Sequence, residues 1–74
     1  MLPKETAAEG AQRRWLTHLY NNYTGELEQY LRFEVCRYVD VYCGLASELQ
    51  QHHQHQQEEM LKFIQDAKML TPKG

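Results

Sequence analysis

Proline is almost missing from this chain. Its two prolines, Pro3 and Pro72, lie at the ends, so nothing of that kind breaks a helix between them. Cysteine is scarce as well: Cys36 and Cys43 are too few for a disulfide framework. Their spacing of seven puts both on one helix face, roughly 10 Å apart at 1.5 Å per residue, beyond the reach of a bond within one helix. Two reduced thiols and a cytoplasmic setting are expected. The glycines, Gly10, Gly25, Gly44 and Gly74, are scattered, so no phosphate-binding loop is present. Ser47 is the lone serine and has no evident His-acid partners. No apolar run approaches the ~20 residues of a membrane span, and MLPKETAAEG has no signal-peptide core. Asn22-Tyr23-Thr24 fits a glycosylation sequon but, without export, is a chance match.

An excess of basic charge is lacking too. The formal net charge is −2, with Lys and Arg together numbering 8. Arg13, Arg14, Arg32 and Arg37 are interleaved with Glu26, Glu28, Glu34 and Asp40, the pattern of a solvated helix face rather than a phosphate-gripping stripe. A small nucleic-acid-binding regulator using those four arginines is therefore the alternative reading, not the leading one.

What is present is helical. Glu, Gln, Leu, Ala and Arg dominate, and the densest β-like stretch, FEVCRYVDVYC over residues 33–43, does not keep the alternation of a strand. Leu16, Leu27, Tyr38, Leu49 and Met60 recur every eleven residues, as do Tyr20, Leu31, Tyr42, His53 and Ile64. Eleven residues exceed three α-helical turns by only about 20°, so both series stay on one face of a straight helix. The same phase lies on either side of ELQQHHQHQQEEM, residues 48–60, where no strongly apolar residue separates Leu49 from Met60. The reading is an all-α helical hairpin: an N-terminal tail over 1–5, helix A over about 6–21, a turn at 22–25, one long helix B over about 26–70, and a tail at 71–74. A break near 50–56, dividing helix B into 26–51 and 57–70, is the alternative. A capping-box match at Ser47-Glu48-Leu49-Gln50 would put the break slightly earlier. Asn21, Asn22, Thr24 and Gly25 favour the first turn, with Thr24 as cap and Glu26 and Glu28 at the helix start.

An unbroken helix B would be about 65 Å long. The much shorter helix A cannot cover its seam, so a second chain is expected, in a parallel or antiparallel homodimer forming a four-helix bundle or a larger coiled-coil-like assembly. The interface is expected at Trp15, Tyr30, Leu31, Phe33, Tyr38, Val41, Tyr42, Leu45 and Leu49, since aromatics at helical spacing are typical of cores and interfaces.

Glu48, His52, His55 and Glu59, spaced 4, 3, 4, make one row on a helix and are weak candidates for metal ligation. A solvated face is the plainer account, and no cofactor is expected. His53 falls on the core stripe, where burial would make it sensitive to acid, while His18 stands alone in a surface or capping role. No catalytic constellation and no room for a small-molecule substrate are seen. The expectation is a non-enzymatic protein–protein interaction module: a small chaperone, adaptor, assembly subunit or regulator, acting by helix packing on itself and on another protein. A metal-binding bundle is the remaining alternative.

Overall fold

The computed structural model describes residues 4–21 and 25–70. They form four helices: α1 (Ala7–Asn21), α2 (Gly25–Arg37), α3 (Val39–Gln50) and α4 (Gln54–Lys68). No strand occurs among the described residues. Helix α1 begins at a reciprocal cap that the sequence reading overlooked. The Glu9 N–H donates to Thr6 Oγ1 (3.0 Å), and the Thr6 N–H donates to Glu9 Oε1 (2.9 Å). Such a capping box satisfies two amides that no helical carbonyl can reach. The backbone N–H of Thr6, followed by its hydroxyl, holds the Glu9 carboxyl below its ordinary range.

Helix B is not continuous. It divides into α2, α3 and α4, with bends at Tyr38 and at residues 51–53. The first bend lies inside the β-like stretch, where Val35, Val39 and Val41 lower helix propensity. At the second, the Gln51 and His52 amides donate to the Glu48 and Leu49 carbonyls over three residues, tightening the end of α3. The physical reason is burial: a straight 50–58 segment has no apolar residue to cover. Folding back there seals Met60, Phe63, Ile64 and Ala67 against the rest of the chain. The turn expected at 22–25 falls largely outside the described residues, as do residues 1–3 of the tail expected over 1–5 and the whole tail at 71–74.

The greatest dimension is 37 Å, far short of a 65 Å rod, and the radius of gyration is 12.3 Å. Helix α4 packs on α2 and α3, while α1 packs on the same two helices. The core is Ala11 and Trp15 from α1, Leu31 and Val35 from α2, Tyr42, Leu45, Ala46 and Leu49 from α3, and Met60, Phe63, Ile64 and Ala67 from α4. Spacings of three and four within each helix put these residues on one face. Of the stripe that seemed to require a second chain, Leu31, Tyr42, Leu49, Met60 and Ile64 are covered by this one, while Tyr20 is 86% exposed. The two exposed members of the eleven-residue series between Leu31 and Ile64 are Tyr38 and His53, and each occupies the N-cap position of the next helix.

Candidate interaction surface

One carboxylate ties three helices together. Glu34 on α2 is only 6% exposed. Its Oε2 accepts from Arg14 Nε on α1 and from the Tyr42 hydroxyl on α3, and its Oε1 accepts from the Tyr30 hydroxyl at 3.1 Å. Burial, reinforced by the bond to Glu34, pushes the Tyr42 hydroxyl far above its ordinary range, so it stays a donor. Burial alone would lower the Arg14 pKa, but its bonds to Tyr42 and Glu34 outweigh that and raise it. Gly10 makes room for this arrangement, since a Cβ there would lie 3.0 Å from an Arg14 guanidinium nitrogen. A cleft of about 290 Å³ opens beside the cluster, between the start of α1 and the Tyr38 bend. Glu34 faces it already engaged by a cation and two phenols, which makes it a fastener rather than a free acid or base.

The sequence-predicted interface residues separate into two groups. Trp15, Leu31, Tyr42, Leu45 and Leu49 are buried within the single chain. Tyr30, Phe33 and Tyr38 are 49%, 46% and 52% exposed, and Val41 is half-buried beside the core. The exposed group runs along the outer side of α2 and onto the bend that follows it. Large aromatics half out of water on neighbouring turns of a helix differ from scattered exposed residues such as Tyr20 or Leu61.

The histidine–glutamate row is not assembled. Glu48 ends on α3, His52 lies in the turn, and only His55 and Glu59 share α4, 3.4 Å apart and solvent-exposed. No group of three metal-ligating side chains occurs among the described residues. His53 is exposed at the start of α4 rather than on the packed face. Cys36 and Cys43 are half-buried on α2 and α3. Three of the four arginines offered for nucleic acid already meet carboxylates: Arg13 with Glu5, Arg14 with Glu34, and Arg32 with Glu28 and Asp66.

His18 is the histidine that the fold engages. Its ring lies 5.1 Å from Trp15 and 5.0 Å from Phe63, and these two rings meet edge to face at 5.4 Å. The Arg32 guanidinium sits 4.9 Å from the Phe63 ring centre. This aromatic cluster joins α1 to α4 across the bundle. Burial lowers the His18 pKa, opposed by Glu28 and Glu59 and assisted by Arg32. The folded state therefore holds fewer protons at His18 than the unfolded chain does between the lowered pKa and about 6.5. Stability from this group is present above pH ~6.5 and is lost as pH falls toward the lowered value. Trp15 is the single tryptophan and reports the site directly. Its emission should titrate with a midpoint below ~6.5, and His18→Phe should abolish that step. A midpoint at or above the unperturbed value, or an unchanged step in the variant, would rule out His18 as its source.

Compared with known protein families, curated proteins and solved structures, the chain finds no match. Among the described residues no helix is long and apolar enough to cross a membrane.

Proposed function

We propose that this chain is a non-enzymatic interaction module, in the manner of a small adaptor, chaperone, assembly subunit or regulator. Its working surface is the outer side of α2 and the Tyr38 bend. The observation that carries this reading is the exposure of three large aromatics, Tyr30, Phe33 and Tyr38, close together along α2 and the bend after it, whereas the other exposed large hydrophobics, Tyr20, Leu61, Met69 and Leu70, lie elsewhere. Aromatics half out of water suit a partner's pocket better than bulk solvent. The titratable cluster at Glu34 is consumed by its own hydrogen bonds, which supports binding over catalysis. Length no longer argues for a dimer, because helix B folds on itself. A cytoplasmic setting is proposed on the two dispersed cysteines. The nucleic-acid reading is disfavoured by the pairing of Arg13, Arg14 and Arg32, and retention on DNA that weakens steeply with salt would revive it.

Affinity capture from the native host with the full chain tests the reading, comparing the parent with a Phe33→Ser/Tyr38→Ser variant and a Tyr20→Ser control. Loss of two aromatic anchors should weaken a bound partner by more than about tenfold, with the fold intact by circular dichroism. A partner retained by the parent and the control but lost by the double variant is the expected result. Identical partners for all three would remove the α2 face from consideration.

A further inference from the structure

The outer side of α2 is self-complementary. Glu26, Tyr30, Phe33 and Arg37 are spaced 4, 3, 4 and are all exposed. At about 100° per residue they lie within roughly 60° of one another, and their row points about 130° away from the buried Leu31 and about 170° from Val35, with Glu34, which accepts from the Tyr30 hydroxyl, nearer at about 70°. The order along it is acid, aromatic, aromatic, base, and the row is symmetric about its midpoint between Leu31 and Arg32. Laid antiparallel on a copy of itself about a two-fold axis at that midpoint, it brings Tyr30 opposite Phe33 and Glu26 opposite Arg37, twice over. A parallel pairing brings each charge against its like.

We infer that the occupant of this face is a second copy of the chain, docked as an antiparallel α2–α2 pair. The inference rests on the interaction reading above and names its partner. Aromatic contacts at the centre exclude water, and oppositely charged ends fix direction and register, the division of labour usual at interfaces. The charge order is what singles out a copy: an unrelated partner has no reason to require a mirrored acid and base at matching distances from two aromatics. An isologous contact of this kind uses each residue of the patch twice and closes on itself, so it stops at two chains. Helix α2 has 13 residues, about 20 Å of contact at 1.5 Å per residue. The area is therefore at the small end, below about 1,200 Å², and the dimer forms and dissociates with concentration rather than being permanent.

Charge reversal tests the register. Glu26→Arg sets Arg against Arg at both ends, and Arg37→Glu sets acid against acid. Each should weaken self-association by on the order of tenfold in sedimentation runs from about 10 μM to about 500 μM. Each reversal also opposes the α2 dipole and loosens that helix in the same sense. Mixing cannot repair such damage, so the equimolar mixture is decisive. In a heterodimer of the two single variants both ends carry opposite charges again, and association should return to the parent level. The double variant should likewise pair with itself. Failure of the mixture to recover, charge variants that associate like the parent, or a parent that stays monomeric throughout the range would each overturn the antiparallel pair. The capture experiment with Phe33→Ser/Tyr38→Ser is independent of these outcomes, so the α2 face can survive as a site for another protein when the self-pairing fails.

Discussion

Replacing Glu34 by alanine should cost the fold about 3 kcal/mol, and replacing Arg14 by methionine should cost at least as much at pH 7. For 74 residues, total stability near 0.05–0.15 kcal/mol per residue comes to roughly 4–11 kcal/mol, so either change approaches the limit of folding. The reasons differ. Without Glu34, the Tyr42 hydroxyl, on a residue 1% exposed, has lost its acceptor, while the Arg14 side chain, 31% exposed, can turn to solvent. That escape keeps the cost toward the lower end of the range for broken buried pairs. Without Arg14, the carboxylate remains at 8% side-chain exposure, with phenolic donors and no cation. A buried carboxylate left without its cation is uncompensated, which makes this the costlier of the two changes. A triple variant, Arg14→Met/Glu34→Leu/Tyr42→Phe, removes the buried polar partners at once, leaves the half-exposed Tyr30 free to turn its hydroxyl to water, and should recover much of the loss, since an apolar cluster can replace a buried ion pair. Urea unfolding at pH 7 measures all of this. Single-variant losses below about 1 kcal/mol would show that the cluster behaves as a surface pair and fastens nothing.

The helical class of this chain is legible because its composition and periodicity point the same way. Part of the core was also legible: Leu31, Tyr42, Leu49, Met60 and Ile64 lie on the stripe read from spacing and are buried, whereas Tyr20, Tyr38 and His53 of the same stripe are exposed. The bends were harder to place. A stripe that keeps its phase across a bend looks like one helix, since the spacing records only which side is apolar. The signs of bending were nevertheless present, in β-branched residues around Tyr38 and in the absence of any apolar residue between Leu49 and Met60. They were outweighed by the good helix propensity of Gln and Glu, a local preference worth only tenths of a kcal/mol per residue. Burial of Met60, Phe63 and Ile64 against the same chain offers several times more. The pairing of Glu34 with Arg14 and Tyr42 was not legible, because it depends on how three helices converge. Thr6-Ala7-Ala8-Glu9, by contrast, carried its capping signature openly.

Leu31→Ala should be the most damaging single truncation on the shared stripe, at about 3–4 kcal/mol, with Leu49→Ala nearer 2 kcal/mol. Both side chains belong to the core, but their sites differ. Leu31 is fully buried in the middle of α2, so the cavity it leaves is walled by packed neighbours that cannot relax into it. Leu49 retains 8% exposure and is the next-to-last residue of α3, one step before the turn. Its surroundings can close partly over the gap, which lowers the cavity contribution. Leu61, at 40% exposure on α4, supplies the comparison: Leu61→Ala should change stability by less than about 0.5 kcal/mol. Because the core is closed by one chain, the losses at Leu31 and Leu49 should be the same at low and high protein concentration. Chemical unfolding of the three variants at two concentrations tests both statements. If the Leu31 and Leu49 losses fall away on concentrating the protein, the stripe is shared between chains and the single-chain core is wrong. If Leu31→Ala costs no more than Leu61→Ala, the assignment of α2's inward face is wrong, and with it the outward row on which Glu26, Tyr30, Phe33 and Arg37 are placed.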